Sequence, residues 1–142
     1  MGQSPNVQTL EQTVHQTNNW IVSLSETLGS DEETAFRGLR GYLHALRDCL
    51  DVGEASDFAA QLPMLIRGVY YTGWDPSRTP QQLTRDEFLD RLSHHAALRD
   101  GDPPADDIAK AVSALLATYM TEGQLTDVVA QLRDDVRELI AL

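Results

Sequence analysis

Only one cysteine, Cys49, occurs among the 142 residues. An internal disulfide framework and any paired-cysteine redox or zinc motif are therefore excluded, as expected for a reducing compartment. Lysine is equally scarce: Lys110 stands alone and the other ten basic residues are arginines. Against these 11 bases stand 22 acids, giving a net charge of −11 and an isoelectric point near 4.5. Such a chain repels phosphate backbones and anionic lipid, so neither a nucleic acid nor a membrane is expected as partner. No apolar run approaches the roughly 20 residues that cross a bilayer. The opening residues Met1 to Asn6 lack a basic region followed by an apolar stretch, and lack the Ser or Thr a myristoylation signal needs, so a cytoplasmic protein is expected. The nucleophile elbow GxSxG, the P-loop and GxGxxG are all missing. No catalytic residue, cofactor or metal is assigned, and the question of enzyme activity stays open with the residues leaning against it.

What is present is a duplication. Gly53, Asp57, Ala60-Gln61-Leu62 and Arg67 recur as Gly123, Asp127, Ala130-Gln131-Leu132 and Arg137, always 70 positions on. Apolar positions follow the same shift, Ala45, Leu46, Leu50, Ile66 and Val69 being answered by Leu115, Leu116, Met120, Val136 and Leu139. Phe88, Leu89 and Leu92 answer Trp20, Ile21 and Leu24 at an offset of 68, the two-residue difference falling in the connection. A repeat of this kind implies similar units sharing one core, because one unit cannot bury its apolar face alone. The expected architecture is all-α: one domain over 1–142, built from two pseudo-symmetric halves at 7–84 and 85–142. Each half has three or four short helices, and a linker over 71–83 joins them.

Helical spacing of Val7, Leu10, Val14, Ile21, Leu24 and Leu28 predicts a first helix after a frayed end at 1–6, with a bend near Asn18 and Asn19 and a stop at Gly29. Ser30 with Glu33 reads as a capping box opening a helix over about 31–50. Its core face is Phe36, Leu39, Tyr42, Leu43, Leu46 and Leu50, which leaves Arg37, Arg40, His44 and Arg47 on another face. Asp51 with Glu54, and Thr121 with Gln124, stand at cap spacing. Pro63 predicts a break between helices at about 54–61 and 63–70. Thr84 to Glu87 is a further capping box, Pro104 opens a helix over about 105–120, and a final helix or pair runs over 124–140.

Two surfaces stand out. The linker holds Tyr70, Tyr71 and Trp74, three of nine aromatic residues, with Asp75 and Arg78 beside them. It reads either as a clamp, with an aromatic pinned over the junction and an Asp75 to Arg78 contact, or as a recognition loop. Arg37, Arg40, His44 and Arg47 form a basic stripe on an acidic protein. That stripe suits an acidic partner or phosphorylated ligand, or is a solvated face laced to neighbouring aspartates. Its pairing with Asp134, Asp135 and Glu138 of a second copy makes a homo-oligomer possible. His94 and His95 point about 100° apart on a helix, so they read as a surface pair rather than ligands of one ion. Gly38 and Gly41 lie inside a helix and predict close helix packing.

Over nearly its whole length the chain resembles the prokaryotic domain family of unknown function 2267, DUF2267. The resemblance rests on Thr13-Val14-His15 and Asn18 before Trp20, on Leu43-His44-Ala45-Leu46-Arg47, on Ala60-Gln61-Leu62-Pro63, and above all on Tyr70 to Pro76, extended by Ser77 to Pro80. It implies an all-helical bacterial domain, found alone or joined to other modules, and carries no catalytic residue to transfer. The preferred function is a non-enzymatic interaction or ligand-sensing module, its protein or small-molecule partner unidentified, using the linker or the stripe. The alternatives are an enzyme at the junction, where His44, Asp75 and Arg78 would converge, and a structural or stress-associated protein with no specific ligand.

Overall fold

Residues 5–140 are described by the computed structural model. The chain begins in helix α1 (Pro5–Leu28), which runs unbroken through Asn18 and Asn19 and ends where Gly29 turns left-handed at φ +65. The frayed end expected over 1–6 lies partly outside the described residues, and Pro5 and Asn6 are already helical. Helix α2 (Glu32–Asp48) follows, then α3 (Val52–Ala59), α4 (Met64–Tyr71), a single 3-10 turn at Pro76–Arg78, α5 (Arg85–His95), α6 (Ala105–Tyr119), α7 (Glu122–Ala130) and α8 (Asp134–Ile140). No strand occurs among the described residues.

The stops follow local chemistry. Pro63 stands at the N-cap of α4, because a proline there gives up no helical hydrogen bond. Thr84 and Thr121 each close a capping box, with Glu87 and Gln124, and Asp51 accepts from the Glu54 amide. The cap of α2 is Asp31, which accepts from the Thr34 amide at 2.8 Å, and not Ser30. Ser30 belongs to the helix before: its amide closes the last turn of α1 on the Ser25 carbonyl. A break also separates α7 from α8 although Arg133 replaces the proline. Arg67 and Arg137 each donate back to carbonyls of the turn just crossed, Arg67 to Ala59 and Leu62, Arg137 to Ala130 and Leu132. Helices α3 and α7 begin at Val52 and Glu122, again 70 positions apart.

At the centre lies α2, packed against α1, α4, α5 and α6. It is buried nearly all round, which is how a helix enclosed by others must be. Of its expected core face only Phe36 is half-buried. Gly41 lets α5 approach: a Cβ there would fall on the Leu92 carbonyl oxygen and lie 2.8 Å from the Ala96 Cβ. Gly38 faces the Ile108 side chain on α6, its Cβ position lying 3.0 Å from the Cγ2 methyl.

Candidate functional site

The basic stripe of α2 does not face water. Arg37, His44 and Arg47 are buried and Arg40 is half-buried, because α5 and α4 end against this side of α2 and point the carbonyls of their C-terminal ends at it. Arg37 Nη1 donates to the Ala96 and Ala97 carbonyls, each at 3.1 Å, and Arg40 Nε to that of His95 at 2.8 Å. His44 Nε2 meets the Val69 carbonyl at 2.7 Å, and Arg47 Nη1 meets those of Tyr70 and Thr72 at 2.6 and 2.7 Å. Cations at helix C-termini satisfy both the orphan acceptors and the negative end of the dipole. The expected solvated face is thus an internal cap for two helices. Arg37 also binds Asp102 at 3.0 Å, and that hydrogen bond holds the Asp102 carboxyl below its usual range.

The linker divides between fold and surface. Tyr70 and Tyr71 belong to the last turn of α4, so the irregular stretch starts at Thr72. Rings run in sequence from the core outward: Phe58 to Tyr70 at 5.6 Å, Tyr70 to Tyr71 at 5.2 Å, Tyr71 to Trp74 at 5.4 Å. Tyr70 is fully buried and donates to the Ala55 carbonyl, whereas Trp74 is half-buried. Asp75 turns to Ser77 rather than Arg78, accepting from its amide and hydroxyl, and those bonds lower its pKa. Arg78 is exposed, and its side chain makes no hydrogen bond or ion pair to the described residues.

Where the stripe's last arginine meets the linker, a polar cavity of about 300 Å³ opens. Arg47, Asp48, Gly73, Asp75, Arg78, Gln81, Arg91 and His95 line it. Asp48 organises the wall. Its carboxylate takes Arg47 Nε at 3.3 Å and Arg91 Nη1 at 3.0 Å, while its carbonyl accepts the Gln81 amide at 2.7 Å. Gln81 Oε1 accepts from Arg91 as well, at 3.0 Å. The Arg47 side chain is only 2% exposed, and its Nη2 is the one guanidinium nitrogen with no hydrogen-bond partner among the described residues. Three guanidinium groups and two carboxylates give this wall a net positive charge on a chain of −11.

Behind the cavity the two predicted histidine positions come together. His44 Nδ1 and His95 Nδ1 are 2.8 Å apart, with the rings edge to face. A carbonyl only accepts, so His44 Nε2 carries a proton toward Val69; its Nδ1 is then the acceptor, and His95 Nδ1–H donates to it. The relay leaves His95 Nε2 as an unprotonated acceptor. Burial, with Arg47 and His95 alongside, pushes His44 down to about 4, and burial lowers His95 too. His94 is exposed and stands beside His95 with no share in the relay. No group of three or more His, Cys, Asp or Glu placed to hold a metal ion occurs among the described residues. Cys49 is buried, and burial pushes its thiol up to about 12, so it behaves as an apolar core residue.

Asp75, Arg78 and Arg47 of the predicted surfaces therefore share one cavity. His44 reaches it only through His95, while Arg37, Arg40, Tyr70, Tyr71 and Trp74 lie outside its lining. Asp48, Gln81, Arg91 and His95 were not predicted as site residues. Arg91 and His95, four apart on one face of α5, were the signal for half of them.

No helix of the described residues is long and apolar enough to cross a membrane. The sequence profile of a family described as "Uncharacterized conserved protein (DUF2267)" matches residues 17–139, and the chain belongs to that family. No curated protein matches it.

Proposed function

We propose that this DUF2267 member is a ligand-binding module, and that its site is the cavity between the end of α2, the linker and α5, which takes a small anion. One observation carries the reading: Arg47, buried and held by carbonyls on one side, keeps Nη2 uncommitted at a cavity that Arg78 and Arg91 also line. A desolvated guanidinium with open donors is what an oxyanion binds best. The duplication supports it from another direction. Caps and core are repeated, yet the counterparts of Arg37, Arg40, His44 and Arg47 at the 70-residue offset are Asp107, Lys110, Ala114 and Ala117. The proposed halves share a scaffold, and only one of them carries these groups.

Thermal unfolding with increasing inorganic phosphate at constant ionic strength tests the reading. Tenfold excess over Kd stabilises by about 1.4 kcal/mol, a rise of roughly 3–6 °C. Arg78→Ala removes a cavity charge whose side chain anchors nothing, so it keeps the fold and loses the rise. A melting temperature that phosphate leaves unchanged overturns the reading. An enzyme at the same cavity is the second reading, favoured by the fixed tautomer of His95. It demands turnover of a bound anion that His95→Gln abolishes while binding persists.

A further inference from the structure

The lining offers acceptors as well as donors, and these discriminate among anions. His95 Nε2 is a lone pair by the tautomer argument above. Asp75 commits Oδ1 to Ser77, which leaves Oδ2 without a partner among the described residues. Asp48 holds the two arginines from the side. An anion that only accepts hydrogen bonds satisfies the guanidinium groups but sets its own lone pairs against those of His95 and Asp75. An anion that carries a proton beside its charge satisfies both sets.

We infer that the cavity selects oxyanions bearing a hydrogen-bond donor of their own, hydrogen phosphate being the class that fits, and that His95 Nε2 accepts a hydrogen bond from that donor while Arg47, Arg78 and Arg91 hold the charge. This rests on the anion-site reading above. No bond is made or broken. The selectivity arises because the wrong anion leaves polar groups unpaired, which costs a binding site more than the right anion gains. The groups around His95 are Arg47, Asp48 and His44 from α2 and Arg91 and His94 from α5. Burial, with Arg47 and more weakly Arg91 alongside, favours the neutral imidazole, which keeps Nε2 an acceptor.

Sulfate has the size and shape of phosphate and no proton at pH 7, so the pair isolates the proton. Calorimetric titration of the wild-type chain with each, at pH 7 and equal ionic strength, gives phosphate binding at least tenfold tighter. Equal affinity for both anions overturns the selectivity and leaves the anion site standing; binding of neither overturns both. Nitrogen-15 spectra of the imidazoles supply a readout independent of affinity. They show His95 protonated at Nδ1 alone, its Nε2 signal moving with phosphate and not with sulfate. A His95 protonated at Nε2, or one whose signal ignores phosphate, overturns the assignment.

Discussion

Truncating Arg47 to alanine probes the cap and the cavity together. Its Nη1 lies 2.6 Å from the Tyr70 carbonyl and 2.7 Å from that of Thr72, and its Nε lies 3.3 Å from Asp48. Without it the buried Tyr70 carbonyl loses its donor, at a cost of about 1–3 kcal/mol. Thr72 is exposed, so water can replace the guanidinium there and the loss is smaller. Asp48 retains Arg91 at 3.0 Å, which keeps the change below the roughly 3–5 kcal/mol of a fully orphaned buried charge. The sum is about 3 kcal/mol, or a fall of roughly 6–12 °C in melting temperature. Arg47→Lys keeps the charge but brings one ammonium in place of a fork, and loses roughly half as much. Urea unfolding followed by Trp20 and Trp74 fluorescence gives both values, with the slope against urea unchanged. A loss below about 1 kcal/mol in the alanine variant, or a lysine variant as stable as wild type, refutes the capping role.

Gly41→Ala forces a Cβ onto the backbone of α5 and lowers stability by about 2 kcal/mol or more, whereas Gly38→Ala meets only side-chain atoms of Ile108, the nearest its Cγ2 methyl at 3.0 Å, and the gain in helix propensity offsets that crowding, leaving a change below about 1 kcal/mol; chemical denaturation separates the two. Ala97 holds a left-handed φ of 51 at the end of α5, so Ala97→Gly raises stability by about 0.5–1 kcal/mol in the same assay. Trp74→Ala costs about 2 kcal/mol, less than the roughly 3–5 of a fully buried large aromatic, because the ring is half-buried on Tyr71. His44 titrates near 4 when folded and near 6.5 when unfolded, so the unfolded chain binds more protons between those values. Its contribution to stability is complete above pH 6.5 and is lost as pH falls toward 4. The His44 ring signals therefore stay fixed from pH 8 to 5.5 in a proton NMR titration of the folded chain.

The helices were legible because their signals are local. Pro63, the Thr84 and Thr121 boxes and the periodic leucines each act within a turn or two of their own position, and the elements fall where those residues put them. The cap of α2 was displaced by one residue because Ser30 had a competing use in the turn that ends α1. The stripe was misread for a different reason. Spacing shows that Arg37, Arg40, His44 and Arg47 share a face, but not what covers it. Here the covering groups are carbonyls at the ends of α4 and α5, from 23 to 60 residues away in sequence, and backbone atoms leave no compositional trace. The cavity was half legible for the same reason: Asp75 and Arg78 lie in a conspicuous loop, while Arg91 and His95 reach it only because Gly41 lets α5 pack closely on α2.

The claim that this cavity is the anion site is tested most directly by amide NMR of the isotopically labelled chain titrated with inorganic phosphate at pH 7. The account predicts saturable shifts clustered at Gly73, Asp75 to Arg78, Gln81, Arg91 and His95, with the α7 amides of Leu125 to Val129 unmoved. Shifts scattered over the surface, or clustered at α7 with the cavity residues still, would contradict it.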